Sequence, residues 1–104
     1  MKKAKGPIEK RRYRRVKILQ DIHFGHRGQR RMDDLSEEGM FIATPADYLP
    51  GSIVDLKFRL FGDDTPIEVK AEVRYVKEGI GMGVRFLNLK PEDRKRIRKF
   101  VERF

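Results

Sequence analysis

The stretch VDLKFRLFGDDTPIEVKAEVRY, residues 54–75, decides the fold class of this chain. Apolar and charged residues alternate along 54–60 and again along 67–75, where Tyr75 falls on the apolar, inward side. A Gly-Asp-Asp segment at 62–64 separates the two runs. A period of two is typical of strands with one buried face, and Gly and Asp are typical of turns. The stretch therefore predicts two antiparallel strands with one face in solvent.

The segments on both sides of this hairpin predict four more strands, at 16–24, 29–35, 40–43 and 82–86, of which 29–35 is mostly polar. After Pro91, apolar residues recur at helical spacing, which predicts a C-terminal helix with one apolar stripe. The stripe consists of Ile97, Phe100, Val101 and Phe104. Six short strands with a single inner face predict a mainly β fold. We expect a six-stranded antiparallel, split β-barrel, which protects its strand edges, followed by the C-terminal α-helix.

The composition excludes several classes of protein. A chain of 104 residues allows one domain with a modest core. It has no Cys and only two His, which argues against disulfides and against a zinc site. No apolar run approaches the roughly 18 residues that span a bilayer, and no apolar segment follows the basic N-terminus as in a secretory signal. We expect a cytoplasmic protein without membrane insertion and without a metal.

The positive charge is concentrated at the N-terminus. Eight of the 25 Lys and Arg residues lie in 1–15, against one of the 16 acidic residues, and the rest of the chain is nearly neutral. Residues 1–10 lack apolar periodicity, which predicts a flexible basic tail ahead of a barrel domain at 11–104. Such an arm attracts polyanions such as nucleic acid or an anionic membrane, but it is equally typical of a solvated tail.

Two short motifs bear on function. Arg11 and Arg15 form an Arg-x-x-x-Arg pair, a pattern that the chain contains three times. With 14 Arg in the chain, about two such matches are expected by chance, so this pair alone carries little information. Asp34, Ser36 and Gly39 form an Asp-x-Ser-x-x-Gly motif, for which chance gives roughly 0.015 matches in a chain of this composition. The second motif is therefore the informative one.

In this order, the two motifs resemble the signature of the PilZ domain, a bacterial receptor module for cyclic di-GMP. The resemblance extends from Val16 to Phe104 through the short strands, the Gly-Met-Gly-Val-Arg-Phe segment at 81–86 and the Pro-Glu-Asp-Arg segment at 91–94. It implies a stand-alone receptor that is not an enzyme, needs no cofactor, binds cyclic di-GMP and signals to a protein partner that the sequence does not identify.

The resemblance also implies a ligand site composed of Arg11, Arg15, Asp34, Ser36 and Gly39. Guanidinium groups suit phosphates and the O6/N7 edge of guanine, whereas a carboxylate suits the N1–H and N2–H donors of the opposite edge. A serine hydroxyl can donate to a phosphate oxygen, and a glycine permits a close approach that a β-carbon would block.

Three further residues, Arg12, Arg14 and Tyr75, are candidates for accessory contacts. Tyr75 could stack on a base, although packing in the core is equally consistent with its position. The mechanism that we expect is ordering of the arginine arm over the ligand, which presents a new surface to a partner.

Other functions remain as alternatives at this stage. The basic arm would also suit a small-barrel nucleic-acid-binding protein, but the strands show few exposed aromatic residues for stacking, so nucleic acid is the less favoured partner. A partner-binding module that has lost its ligand is a third possibility, which the intact motifs disfavour. Catalysis is disfavoured because Asp34 and Ser36 have no evident histidine or metal partner.

Overall fold

The computed structural model describes residues 15–24, 29–44, 48–60 and 65–103 of the chain. These residues form strands β1 (Val16–Phe24), β2 (Gln29–Leu35), β3 (Gly39–Ala43), β4 (Ile53–Phe58), β5 (Ile67–Lys77) and β6 (Gly81–Leu87), followed by helix α1 (Pro91–Val101). The prediction of six strands and one C-terminal helix is confirmed. The predicted tail at 1–10, and the arginines Arg11, Arg12 and Arg14, lie outside the described residues.

The six strands form one curled antiparallel sheet in the order β1-β2-β3-β6-β5-β4. The sheet closes into a barrel where β1 pairs with β4 at His23↔Lys57 and Phe24↔Leu56. Every other neighbouring pair has a longer register, which makes this short pairing the seam of a split barrel. The order also places β6 between β3 and β5, so that residues far apart in sequence become neighbours on the outer face.

The alternation of apolar and charged residues directs one face of each strand into the barrel. In β4, β5 and β6 the buried inward residues are Val54, Leu56, Phe58, Ile67, Ala71, Val73, Met82, Val84 and Phe86. Helix α1 adds Ile97, Phe100 and Val101 to the same core. Each of these side chains contributes about 1.5–3 kcal/mol when it is fully buried, which fixes the helix on the barrel.

Tyr75 departs from the predicted alternation. The register of β5 against β6 shifts between Val73 and Tyr75, so that Val73 pairs with Val84 but Tyr75 pairs with Gly83. A bulge of this kind displaces the alternation by one residue. Val76 consequently packs against the core, while Tyr75 is 43% exposed on the outer face. The prediction that Tyr75 continues the inward face is therefore wrong.

Candidate ligand-binding site

The Asp-x-Ser-x-x-Gly motif spans the end of β2, the β2–β3 turn and the start of β3. Within the turn, the Ser36 amide donates to the Gly39 carbonyl at 2.9 Å, and the Glu38 amide donates to Ser36 Oγ at 3.1 Å. Ser36 is 2% exposed, and its hydroxyl lies 3.5 Å from the Gly39 carbonyl. Side-chain to backbone contacts of this kind are a reason that serine is favoured in turns. Ser36 thus stabilises the turn, and its contact with a phosphate stays a prediction.

Gly39 lies where β3 pairs closely with the backbone of β6. A β-carbon on residue 39 would lie 1.9 Å from the carbonyl oxygen of Val84 on β6, a separation that real contacts do not reach. The Phe86 amide donates to the Glu38 carbonyl at 2.8 Å, which continues the pairing of β6 onto the turn. The close approach that the sequence predicts at Gly39 is therefore, in this structure, the approach of a neighbouring strand.

Asp34 connects the turn to the arginine motif. The β2–β3 register shifts between Met32 and Asp34, which brings Asp34 opposite Phe41. Asp34 Oδ1 accepts a 2.9 Å hydrogen bond from the Phe41 amide, and Oδ2 lies 3.6 Å from Arg15 Nη1. Both side chains are mostly buried, at 18% exposed for Asp34 and 22% for Arg15. The structure thus brings together one residue from each of the two predicted motifs.

The contact between Arg15 and Asp34 leaves hydrogen-bonding capacity unused. Charge-assisted N–H···O⁻ bonds are typically about 2.7–2.9 Å long, so the 3.6 Å separation is a loose ion pair. Among the residues that the structure describes, the buried Nε of Arg15 has no hydrogen-bond partner. An unpaired buried donor costs about 1–3 kcal/mol, which an anionic ligand at this position would recover.

A concave pocket of about 370 Å³ opens beside this pair, on the outer face of β3, β6 and β5. Its volume lies at the small end of the range of known ligand pockets, which is about 300–1,000 Å³. The lining residues are Arg15, Glu38, Gly39, Arg74, Tyr75, Gly83, Val84 and Arg85. Three guanidinium groups against one carboxylate make the pocket electropositive, which suits an anion that guanidinium groups can bind through paired hydrogen bonds.

An aromatic platform, formed by Phe41 and Tyr75, extends from this pocket. The two ring centroids are 6.3 Å apart and the rings are tilted by 34°. The Tyr75 ring lies over Gly83, where a β-carbon would come within 2.2 Å of Tyr75 Cε1. The glycine therefore makes room for the ring, and the exposed part of Tyr75 offers an apolar surface on which a planar base can stack.

The structure brings together four of the predicted site residues, since Arg15, Gly39 and Tyr75 line the pocket and Asp34 contacts Arg15. The sequence-based prediction did not include Arg74 on β5 and Arg85 on β6. Alternation places both on the outer face, but only the non-sequential order of β3, β6 and β5 brings them beside Gly39, which is paired with Arg85.

The described part of the chain contains no group of three or more His, Cys, Asp or Glu side chains that could hold a metal ion. In the same residues, none of the helices has the length and apolar character required to cross a membrane.

Comparisons with solved structures show the same fold in other proteins. The Bacillus subtilis inhibitor of motility MotI/DgrA aligns with a TM-score of 0.83 at 19% identity, over 92% of this chain and 51% of that one. Escherichia coli YcgR, solved in complex with c-di-GMP, aligns with a TM-score of 0.70 at 18% identity, over 92% of this chain and 46% of that one. The chain thus spans about half the length of these two proteins.

An uncharacterized Legionella protein aligns with a TM-score of 0.57 at 16% identity, over 88% of this chain and 92% of that one. Among curated proteins, none matches the chain significantly. A family model for the PilZ domain matches residues 9–103, which include both motifs and all the elements of the barrel. The chain therefore belongs to the PilZ domain family.

Proposed function

We propose that this protein is a cyclic di-GMP receptor whose ligand binds at the pocket beside Asp34 and Arg15. The observation that carries the proposal is the contact between these two residues, which joins the two motifs at the mouth of an arginine-rich pocket. Membership of the PilZ family and the fold shared with YcgR, which has been solved with c-di-GMP, support the same ligand. We infer a receptor that performs no catalysis and acts in the cytoplasm.

In this proposal, the two oxygens of Asp34 have different roles. Oδ1 is already engaged by the Phe41 amide and holds the carboxylate in place. Oδ2 faces Arg15 loosely and is the acceptor that we assign to the N1–H and N2–H donors of a guanine. An acceptor held in advance loses little conformational freedom on binding, which favours affinity.

The arginines supply the complementary contacts. The Nε–H of Arg15, which has no partner within the described residues, donates to a phosphate or to the O6/N7 edge of a guanine. Arg11, in the same segment, provides a second guanidinium group that can form paired hydrogen bonds. Arg74 and Arg85 add positive charge along the pocket, and Tyr75 offers a face for base stacking. Gly39 lines the pocket through its backbone, and its missing β-carbon lets β3 lie against β6 beside the ligand.

We further infer that ligand binding orders the N-terminal arm, including Arg12 and Arg14, over the outer face of the barrel. The arm carries a dense positive charge, and the doubly anionic ligand relieves the repulsion among its basic residues. The ordered arm then presents a surface to a protein partner, which makes the ligand a switch of the disorder-to-order type.

A basic small-barrel protein that binds nucleic acid is the second candidate, favoured by the net charge of +9. The two functions predict opposite responses to loss of Asp34. Removing a carboxylate makes the surface more positive, so nonspecific binding to nucleic acid should hold or improve. Guanine recognition should weaken, because two base donors lose their acceptor.

The test is a paired titration of the wild type and Asp34→Ala with cyclic di-GMP and with a short oligonucleotide at one salt concentration. Asp33→Ala is the matched control, because it removes the same charge from the neighbouring position, and Asp33 makes its ion pair with Arg31 whereas Asp34 lies against Arg15. We expect only Asp34→Ala to lose cyclic di-GMP affinity. A variant that keeps cyclic di-GMP and loses the oligonucleotide would refute this assignment.

A further inference from the structure

The β2–β3 turn is attached to helix α1 through Glu37. Arg98 donates to this carboxylate with both Nε and Nη2, at 3.2 Å to Oε2 and 3.2 Å to Oε1. Arg94 Nη1 lies 3.8 Å from Oε1. The Glu37 side chain is 11% exposed, so this carboxylate is mostly removed from water between the turn and the helix. A forked pair of this kind fixes direction as well as distance.

Arg94 and Arg98 are themselves an Arg-x-x-x-Arg pair, which the ligand site does not use. Residues four apart lie on one side of a helix, and two like charges in this relation repel each other. A carboxylate between them relieves that repulsion, because both guanidinium groups face the same acceptor. The two arginines therefore form a binding site for the Glu37 carboxylate and do more than add charge to the surface.

Displacement of Glu37 would also disturb the pocket, because its neighbours in the turn line it. Glu37 lies between Ser36, which accepts from the Glu38 amide, and Glu38, whose carbonyl accepts from the Phe86 amide. Glu38 and Gly39 both line the pocket. The turn is thus fastened to β6 through its backbone and to α1 through one side chain, and a rotation of the turn would move the pocket wall.

We propose that Glu37, held by Arg98 and Arg94, is a positioning residue that couples the ligand-binding turn to helix α1. The proposal rests on the cyclic di-GMP site argued above. The helix holds the turn in the conformation that presents Gly39 and Glu38 to the ligand. Because binding free energies are reciprocal, a ligand on the turn also favours this position of the helix.

The experiment compares Arg98→Ala, Arg98→Lys and Lys95→Ala with the wild type, measuring Kd for cyclic di-GMP and the midpoint of thermal unfolding. Arg98 and Lys95 are both exposed on α1, and their replacement by Ala removes the same unit of charge. Arg98→Ala should weaken binding roughly five- to tenfold, at the low end of coupling between sites, because the arginine is half exposed. Lys95→Ala should stay within about twofold, and Arg98→Lys should recover part of the loss.

A double-variant comparison separates positioning from stability. Glu37→Ala and Glu37→Ala/Arg98→Ala should bind equally weakly, because the second change removes a contact that the first has already broken. A lower unfolding midpoint with an unchanged Kd in Arg98→Ala would overturn the inference, and so would equal losses in Arg98→Ala and Lys95→Ala. If the wild type itself shows no affinity for cyclic di-GMP, the proposed function fails and the positioning role fails with it.

Discussion

Replacing Gly39 with alanine tests the geometry of the site more sharply than any other single change. The added β-carbon would lie 1.9 Å from the Val84 carbonyl oxygen, so β3 and β6 would have to separate by roughly 1 Å before the contact became acceptable. Strand backbones cannot rotate away as side chains can. We expect a loss of about 2–4 kcal/mol in the free energy of unfolding, after the small gain from replacing a glycine in a strand.

Gly83 provides the matched control. A β-carbon there would meet the ring of Tyr75 at 2.2 Å, but this ring belongs to a partly exposed side chain that can swing into solvent. Gly83→Ala should therefore retain most of the stability, whereas Gly39→Ala should lower the midpoint of thermal unfolding by roughly 10–25 °C. Differential scanning calorimetry measures both. Equal midpoints for the two variants would refute the argument that Gly39 is required by the approach of two backbones.

Three further predictions concern the ligand. Arg15→Ala and Arg11→Ala should each weaken cyclic di-GMP binding by about 1–3 kcal/mol in calorimetry, by analogy with guanine contacts in DNA. Unaltered affinity in the double variant would contradict the site. Trypsin should cut readily after Arg12 or Arg14, and saturating ligand should slow these cuts, because the protease cleaves only the open arm. An unchanged rate of cleavage would exclude the arm as a switch. Tyr75→Ala should cost about 1–3 kcal/mol of binding if the ring stacks on a base, and Tyr75→Phe should bind normally.

The barrel could be predicted because its information is local. In β4 and β6 the alternation of apolar and polar residues determines which side chains are buried, and the structure agrees at Val54, Phe58, Val84 and Phe86. The same rule failed at Tyr75, because a bulge in β5 is decided by pairing with β6 and leaves no mark in the alternation. The alternation of apolar and polar residues predicts burial only where the strand contains no bulge.

Only part of the site could be predicted from the sequence, because some of its residues become neighbours only in the folded sheet. Asp34 and Gly39 belong to a compact motif that sequence alone can show. Arg74 and Arg85 become part of the pocket only because β6 lies between β3 and β5, which is a long-range property of the sheet. The contact of Glu37 with α1 could not be predicted from the sequence either, because it joins two residues that are 61 positions apart.

Calorimetric titration of the full chain with cyclic di-GMP and cyclic di-AMP, at one salt concentration, tests the central claim most directly. Both ligands carry the same two phosphates, so any difference reports on the bases. Adenine lacks the N1–H and N2–H donors that we assign to Asp34, and it has no O6 for an arginine. The account predicts binding of cyclic di-GMP and affinity for cyclic di-AMP that is weaker by roughly a hundredfold or more. Equal affinities for the two, or no binding of cyclic di-GMP, would contradict it.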